Sequence, residues 1–467
     1  MTQYIYCMTN NKPKIWLPKI DKTKRGVYHA IVDAMRHDIE AGVLKAGDQL
    51  PPQRELAWQL QVNLTTISRA YREAMRQHLI GGEVGRGTYI LANSAEASLF
   101  ELRDKGLAKG RTQTDFIDLS TNIPARNASD NRFNQTLRTI TAANLTTLYE
   151  EYHAPMLLDQ LKIAATKWLN WRKMPSKPEN IVLAGGAQTA LQAILIALCN
   201  AGDSILVEQY TFPGMKDFAR QFGLKLIPIN MDKQGILPNE LTKIAKKNNA
   251  KYIILVPNHQ NPTGAVMSAE RQQQVAKTIV AQNLTLIEDD VYGGLSNMPP
   301  LSALLPDQAI YLTSLSKTVS FGLRVGFIHT KTEHLAALTH ATNLTQWSLS
   351  PIMMQMAIDW IEDGTAFDKA AWQLSEISER RKIADNILPK NNISTRDKNS
   401  PHLWLNIPQS IDIQSECEKI GLNIAPVSIF LPQQRQKHQN HIRISLVAPA
   451  TRQNLAIGLK RLAEILA

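Results

Sequence analysis

Cysteine is scarce in this sequence, with three residues among 467. Cys7, Cys199 and Cys417 are odd in number and far apart, so they form neither an even set for a disulfide framework nor a CxxC pair for zinc. No segment approaches the roughly 18 consecutive apolar residues of a membrane span. Residues 1–19 lack the apolar core of a secretory signal. These absences predict a protein of the reducing cytoplasm, without a metal site or a membrane span.

Acidic residues are in the minority. The chain has 52 Lys and Arg against 41 Asp and Glu, a formal net charge of +11. Residues 1–95 alone hold 13 Lys and Arg against 8 Asp and Glu, so the basic excess is concentrated there. Such an excess permits a polyanionic partner without requiring one. The hydrophobic content of 44% is that of a globular protein, and the length predicts two or three cores.

The N-terminal region has the pattern of a winged helix-turn-helix. Helical patterns over Val27–Ala41 and Gln53–Leu60 precede a third that starts after Asn63, a favourable N-cap. The third helix has an apolar stripe at helical spacing, formed by Ile67, Ala70, Tyr71, Ala74 and Met75. Its opposite face is polar and basic, with Thr65, Thr66, Ser68, Arg69, Arg72 and Arg76. The glycine-rich residues 81–90 then predict a two-stranded wing.

The rest of the chain has the pattern of an α/β fold. Polar and small residues at 93–117 predict a linker between an N-terminal domain, residues 1–92, and a larger domain, residues 118–467. Seven short apolar runs alternate with helical patterns, which predicts a mainly parallel sheet covered by helices on both faces. The runs are Ile181–Ala184, Ser204–Val207, Leu224–Ile229, Tyr252–Val256, Leu284–Ile287, Ile310–Thr313 and Val325–Ile328.

A smaller α+β subdomain is predicted from about residue 350 to 467. This part of the chain contains a long helix near Thr365–Leu388, strands near Leu403 and Arg443, and a closing helix, Arg452–Ala467.

Four motifs follow predicted strands of the large sheet, at the carboxyl ends where such sheets bind ligands. Gly185–Gln188 opens a helix whose backbone N–H groups suit a phosphate monoester. Pro257–Gly264 places an Asn before a Pro, and Asp289–Tyr292 places a carboxylate near a phenol. Ser314–Lys317, followed by Arg324, offers an amine nucleophile and a phosphate clamp. Taken singly, each motif can also be interpreted as a turn, a helix cap or a solvated pair of cations. Taken together, the four motifs supply the groups that a phosphorylated aldehyde requires.

This set resembles the fold-type-I pyridoxal-phosphate enzymes of the class I/II aminotransferase family, over residues 118–467. The resemblance implies that Lys317 forms the internal Schiff base and that Asp289 pairs with the pyridine nitrogen, keeping it protonated. It also implies that Asn261 and Tyr292 hold the phenolic oxygen of the cofactor. The residues that would receive the phosphate are Gly186, Ala187, Gln188, Ser314, Ser316 and Arg324.

Three further roles are implied by position within the family pattern. Phe212 would stack on the cofactor ring, with plain core packing as the alternative. Arg443 would grip a substrate α-carboxylate, with a structural ion pair as the alternative. Tyr152 would reach the phosphate of the partner subunit, although Leu157 stands where the family usually has Gly. Because the family builds this site between two subunits, a homodimer is expected.

The N-terminal region resembles the GntR-type winged helix in Leu50–Ala57, Thr65–Tyr71 and Gly85–Thr88. The resemblance implies that DNA is faced by Arg54, Thr65, Thr66, Arg69, Arg86 and Gly87. Leu64 stands where many relatives carry Arg, which removes one polar contact and leaves the operator sequence open. A helical dimerisation module without DNA affinity is the alternative.

The two parts together resemble the MocR family of pyridoxal-phosphate-dependent transcriptional regulators. The leading hypothesis is a cytoplasmic homodimer that binds double-stranded DNA and senses pyridoxal phosphate or an amino compound. A working aminotransferase with a secondary DNA-binding head is the alternative in a different class, because none of the residues that the chemistry requires is replaced. An amine sensor without chemistry is a third possibility.

Overall fold

The fold is described from a computed structural model of the chain. It describes residues 16–18, 20, 26–40, 43–44, 48–76, 79–83, 87–90, 116–142, 155–433 and 440–466. Contacts divide the chain into two compact units, Met1–Ser98 and Leu99–Ala467. The expected linker, residues 93–117, lies outside the described residues except for positions 116 and 117.

The N-terminal unit contains three helices and a β-hairpin. The helices are α1 Val27–Glu40, α2 Gln53–Leu60 and α3 Leu64–Arg76, and the strands are β1 Ile80–Glu83 and β2 Gly87–Ile90. The two strands pair antiparallel, with Ile80 opposite Ile90. Three residues separate α2 from α3, so the structure confirms the helix-turn-helix and the strands of the wing.

The apolar stripe of α3 forms the core of this unit, with one correction. Ile67, Ala70, Tyr71 and Ala74 are buried, but Met75 is 37% exposed and the prediction for it was wrong. At about 100° per residue, the four buried positions fall within an arc of about 100°, and Met75 lies beyond the edge of that arc. The hydroxyl of Tyr71 donates to the backbone oxygen of Pro51 over 2.6 Å, and burial raises the pKa of this phenol.

The C-terminal unit is built on a seven-stranded sheet and a smaller three-stranded sheet. Its strands are β3 Ile117–Asp118, β4 Ile181–Ala184, β5 Ser204–Glu208, β6 Lys225–Ile229, β7 Met231–Asp232, β8 Gly235–Ile236, β9 Tyr252–Leu255, β10 Thr285–Asp289, β11 Ala309–Ser314, β12 Gly326–His329, β13 His402–Asn406, β14 Leu422–Asn423, β15 Ala425–Pro426 and β16 His441–Ser445. All seven apolar runs predicted as strands belong to the large sheet.

The order of the large sheet is β4-β12-β11-β10-β9-β5-β6. Strand β12 is antiparallel to both of its neighbours, and the other pairs are parallel, which confirms a mainly parallel sheet. Ser314 at the end of β11 lies opposite Gly326, which in turn lies opposite Ala184 at the end of β4. The register therefore brings two of the four predicted motifs, Gly185–Gln188 and Ser314–Lys317 with Arg324, to one edge of the sheet.

Helices pack on both faces of this sheet. The helices of the whole C-terminal unit are α4 Arg132–Ala142, α5 Pro155–Trp171, α6 Ala187–Leu198, α7 Pro213–Phe222, α8 Pro238–Asn248, α9 Ala269–Ala281, α10 Thr332–Thr345, α11 Pro351–Glu362, α12 Thr365–Ile387, α13 Ile413–Lys419 and α14 Arg452–Leu466. Leu183 and Phe327 pack with α5 and α11, whereas Val182 and Ile328 pack with α6. Because successive strand residues face opposite sides, these strands need apolar residues throughout.

The small sheet has the order β13-β16-β15 and packs with α12, α13 and α14. Strand β3 pairs in parallel with β14, so Ile117 joins the core of this subdomain although some 300 residues separate the two strands. Among the residues that the structure describes, no helix is both long and apolar enough to span a membrane.

Candidate functional site

Lys317 lies in the turn after β11, at the carboxyl-end edge of the large sheet. Its Nζ donates a hydrogen bond of 2.7 Å to the backbone oxygen of Asn122 and lies 5.7 Å from the ring centroid of Phe321. Strand β11 lies between β12 and β10, so the motifs of these strands flank the lysine.

An anion cradle lies on the β12 side of Lys317. Gly186 caps the N-terminus of α6 with φ at 101°, in the region that favours glycine. A Cβ at this position would lie 3.0 Å from Nη2 of Arg324, so the guanidinium packs directly against the start of the helix. The first N–H groups of a helix, here at Ala187 and Gln188, have no partner within it. Guanidinium, helix dipole and backbone donors together attract a dianion.

Two serines complete the cradle. Ser314 is buried at the end of β11, beside Gly326, and Ser316 is buried in the turn that follows. The hydroxyl of Ser316 has no hydrogen-bond partner among the described residues. A buried hydroxyl without a partner is costly, and an oxygen of a bound phosphate would satisfy it. The residues present therefore fit a phosphorylated ligand.

The end of β10 carries two carboxylates with different surroundings. Asp290 is fully buried and accepts hydrogen bonds from Arg172 at 2.9 Å, from the Tyr311 hydroxyl at 2.8 Å and from Asn258 at 3.0 Å. Burial lowers the pKa of Arg172, but Asp290 and other acidic groups nearby raise it by more, so the net shift is upward. Asp289 is half-buried, and its Oδ1 accepts from the backbone nitrogen of Val291. Asp290 is therefore the carboxylate that forms the ion pair with Arg172.

Asn261 and Arg443 contact each other in this structure. Arg443 Nη1 donates to Asn261 Oδ1 over 2.6 Å, and Nη2 donates to the backbone oxygen of Ser120. The guanidinium also lies 5.0 Å from the ring centroid of Phe430 and is almost fully buried. Because the amide oxygen of Asn261 accepts from a cation, its Nδ2 is the atom that can donate to a ligand oxygen.

Tyr292 is buried and accepts a hydrogen bond of 3.1 Å from Nδ2 of Asn122. The same amide nitrogen lies 2.9 Å from Nδ1 of His402, whose Nε2 lies 3.0 Å from the backbone oxygen of Gln260. Sequence reasoning missed Asn122 and His402. They are 195 and 85 positions from Lys317 in the chain, and no local pattern marks them.

A buried acid lies beside this site. Burial raises the pKa of Glu208 to about 8, despite a hydrogen bond of 3.0 Å from Gln260 Nε2. The neighbouring carboxylate of Asp289 raises it further. Glu208 is therefore mainly protonated at neutral pH.

Phe212 and Tyr152 are the remaining residues predicted for the cofactor site. Phe212 is the N-cap of α7, and it is half-buried against the core cluster that includes Met215. Its ring lies so close to Gly214 that a Cβ there would be 2.4 Å from it. Core packing of Phe212 is observed, and stacking on a cofactor remains a prediction. Tyr152 lies outside the described residues.

A polar surface lies at the start of α3 in the N-terminal unit. Thr65 and Arg69 are exposed, Thr66 is half-buried, and Arg54 on α2 is exposed. The guanidinium of Arg69 lies 4.1 Å from the ring centroid of Tyr28, which holds it over α1. Gly87 is the first residue of β2, and Arg86 lies outside the described residues. Exposed hydroxyl and cationic groups at a helix start suit DNA.

The chain belongs to the class I and II aminotransferase family, whose model matches residues 114–462. A second model, that of the bacterial regulatory proteins of the gntR family, matches residues 27–90. The presence of both in one chain is the arrangement of the MocR regulators, so the protein is a transcriptional regulator with a GntR DNA-binding domain and an aminotransferase-like domain. The cofactor that this family implies is pyridoxal phosphate, which the cradle described above fits.

Relatives of both kinds are found. The HTH-type transcriptional regulator YdeF of Bacillus subtilis is 27% identical over 98% of each chain. The vitamin B6 salvage pathway transcriptional repressor PtsJ of Salmonella typhimurium is 29% identical over 68% of this chain and 71% of its own. An archaeal alanine:glyoxylate aminotransferase has the same fold, with a TM-score of 0.72, 22% identity, and coverage of 85% of this chain and 98% of its own.

Proposed function

We propose that pyridoxal phosphate binds at Lys317 and that an amino compound reaching this site changes the affinity of the winged helix for DNA. One observation carries the proposal. The Lys317 amine and the Arg324 guanidinium lie 5.7 and 5.6 Å from the ring centroid of Phe321. Arg324 packs on Gly186, and the buried hydroxyl of Ser316 has no partner among the described residues. An amine beside donors that suit a dianion is the chemistry that a phosphorylated aldehyde requires.

Each proposed site residue has a defined task. The phosphate would be held by Gly186, Ala187, Gln188, Ser314, Ser316 and Arg324. Asp289 would pair with the ring nitrogen, and Asn261 Nδ2 and the Tyr292 hydroxyl would donate to the phenolic oxygen. When bound, the cofactor supplies an aldehyde that condenses with amines and a ring that withdraws electrons. The backbone oxygen of Asn122, 2.7 Å from Lys317 Nζ, holds the lysine amine at the site.

The proposed effector is an α-amino acid. Arg443 is 1% exposed and is oriented by Asn261 and Ser120. A buried guanidinium with fixed neighbours is suited to a planar carboxylate, which it can bind through two hydrogen bonds. An amine at Lys317 and a carboxylate at Arg443 define the class of ligand.

We infer a homodimer acting on chromosomal DNA in the cytoplasm. Winged-helix proteins read paired half-sites as dimers, which matches half-site symmetry to subunit symmetry. In this proposal residues 93–117 connect the two domains, and Tyr152 contributes to the site of the partner. DNA would be contacted by Arg54, Thr65, Thr66, Arg69, Arg86 and Gly87. The effector acts only through a difference in its affinity for the two DNA-binding states.

The direct test is a fluorescence anisotropy titration of the full chain with the DNA upstream of its own gene. Pyridoxal phosphate and amino acids are added in turn, and Lys317→Ala provides the variant without the reactive amine. We expect specific binding whose affinity changes with the cofactor in the wild type and not in Lys317→Ala. Binding no tighter than to unrelated DNA of equal length would contradict the regulator.

A working aminotransferase remains the second candidate, because Lys317, Asp289, Asn261 and Arg443 are all present and Asn261 already contacts Arg443. A half-reaction separates the two roles. The protein loaded with pyridoxal phosphate is mixed with one amino acid, and the loss of visible absorbance is followed together with oxo-acid production. Repeated turnover with an added oxo acid would favour the enzyme, whereas reversible spectral change without product favours the sensor.

A further inference from the structure

Asn122 is the residue that connects Lys317 to Tyr292. Its backbone oxygen accepts from Lys317 Nζ at 2.7 Å, and its Nδ2 donates to the Tyr292 hydroxyl at 3.1 Å. Its side chain is 3% exposed. It comes from the segment after β3, not from the strands that carry the rest of the site.

We propose that Asn122 is a positioning residue for the cofactor: its amide, oriented by His402, donates to the Tyr292 oxygen and so directs the phenol's own proton to the phenolic oxygen of pyridoxal phosphate. This inference rests on the cofactor placement proposed above and extends it to two residues outside the motifs.

The orientation of the Asn122 amide follows from hydrogen-bond chemistry. His402 Nε2 faces a backbone carbonyl, which can only accept, so this nitrogen carries the proton. Burial lowers the pKa of His402 well below its usual range, and the cations Arg443 and Lys317 and the nearby His259 lower it further. The ring is therefore neutral, and Nδ1 is an acceptor. Asn122 must present its NH₂ group to Nδ1, which leaves Oδ1 without a partner among the described residues.

The orientation of the Asn122 amide determines where the Tyr292 hydroxyl can donate its proton. A tyrosine hydroxyl has one proton to donate and accepts on its oxygen. Because the NH₂ of Asn122 occupies the oxygen, the phenol cannot donate to Asn122 and its proton is directed elsewhere. Hydrogen bonds in a chain strengthen one another in a buried site, so the donation from Asn122 makes Tyr292 a better donor to the cofactor. His402 is edge-on to the Tyr292 ring at 5.7 Å and limits its movement.

The experiment is a spectrophotometric pH titration of the holo-protein, which reports the apparent pKa of the lysine–cofactor linkage. A weaker hydrogen bond to the phenolic oxygen leaves more negative charge there, which favours the protonated linkage. We expect Asn122→Ala to raise this apparent pKa by about half a unit to one unit, the equivalent of one hydrogen bond. In the Tyr292→Phe background the same substitution should add nothing, because the donor that it acts through is gone.

Controls separate this role from a structural one. Asn180→Ala removes a half-buried amide that donates to Thr330 at the other end of β4, and it should leave the titration unchanged. Asn122→Ser tests the loss of the same amide while keeping a polar group in the buried site, if the alanine variant folds poorly. An unchanged titration in both variants, or an equal shift with and without the Tyr292 hydroxyl, overturns the inference. A wild type without a visible band contradicts the proposed cofactor site instead.

Discussion

The amide oxygen of Asn261 accepts a hydrogen bond of 2.6 Å from Arg443 Nη1. Asn261 belongs to the loop after β9 of the large sheet and Arg443 to β16 of the small sheet, so this contact joins the two subdomains at the site. A ligand carboxylate at Arg443 therefore arrives next to the amide proposed to hold the phenolic oxygen of the cofactor. The hydrogen bond between Arg443 and Asn261 therefore links the proposed carboxylate-binding residue to a residue proposed to bind the cofactor.

The first prediction concerns the guanidinium of Arg443. Arg443→Lys keeps the positive charge but loses the planar fork that binds a carboxylate through two hydrogen bonds. We expect the affinity for α-amino acids to fall about tenfold, equivalent to one charge-assisted hydrogen bond. The affinity for the corresponding decarboxylated amines should stay the same. Spectral titration with both ligand series measures this, and an equal loss for amines without a carboxylate would place Arg443 outside carboxylate binding.

Gly186 provides a second prediction, because it has a matched control. Gly186 and Gly202 have φ of 101° and 96°, but a Cβ at Gly186 meets Arg324 whereas a Cβ at Gly202 meets nothing within 4 Å. Alanine at either position bears the same backbone strain, about 1 kcal/mol or more. Only Gly186→Ala should also displace Arg324 and raise the Kd of pyridoxal phosphate, by about tenfold or more for one charge-assisted bond. Equal cofactor affinity in the two variants would contradict the proposed cradle.

The buried ion pair beneath the sheet edge leads to a third prediction. Arg172→Met leaves the carboxylate of Asp290 buried and without its cation, which should lower the free energy of unfolding by about 3–5 kcal/mol. The exposed pair of Arg220 and Asp217 is the comparison, since its side chains are 48% and 30% exposed. Arg220→Met should cost less than about 1 kcal/mol. Urea denaturation of the cofactor-free protein measures both, and similar losses would show that Asp290 has another partner.

The buried carboxyl of Glu208 leads to a fourth prediction, that the free energy of unfolding depends on pH. Burial raises its folded pKa to about 8, above an unfolded value of roughly 4.3. The bound proton therefore stabilises the fold fully below the unfolded pKa, and this contribution is lost as the pH rises towards 8. Compared with Glu208→Gln, the wild type should lose stability between pH 5 and pH 8 by at most about 1.4 kcal/mol per pH unit.

Urea titrations at several pH values test the role of Glu208. The exposed Glu179→Gln should follow the wild-type profile, because its carboxyl is open to solvent. A Glu208→Gln profile that runs parallel to the wild type would mean that the carboxyl is already ionised in the fold.

The fifth prediction concerns the DNA surface. Arg54 is exposed on α2 and would contact a phosphate, so Arg54→Ala should weaken binding to all sequences alike and reduce the salt slope of log K by about 1. Arg220→Ala, in the C-terminal unit, should change neither quantity. Salt-dependent anisotropy titrations measure both. A loss confined to one DNA sequence would instead assign Arg54 to base recognition.

Local patterns alone were enough to locate the seven strands of the large sheet. The runs Ile181–Ala184 and Ile310–Thr313 lie within β4 and β11, because a strand buried on both faces must be apolar throughout. The glycines before α6 and the serines before Lys317 were likewise readable, since helix starts and strand ends have local signatures. These motifs predict the class of cofactor without any information on tertiary contacts.

Only the tertiary structure decided which of these groups meet. The pairing of Ser314 with Gly326 and of Gly326 with Ala184 depends on strand order, which no local pattern encodes. Asp289 and Asp290 are alike in sequence, but only the tertiary structure shows that Arg172, which follows α5, forms its ion pair with Asp290. Asn122 reaches Lys317 because β3 crosses to the small subdomain, a long-range contact fixed by burial of Ile117. The residues that supply the chemistry can be recognised in local stretches of the sequence. Which of them lie close together depends on how the strands and helices pack.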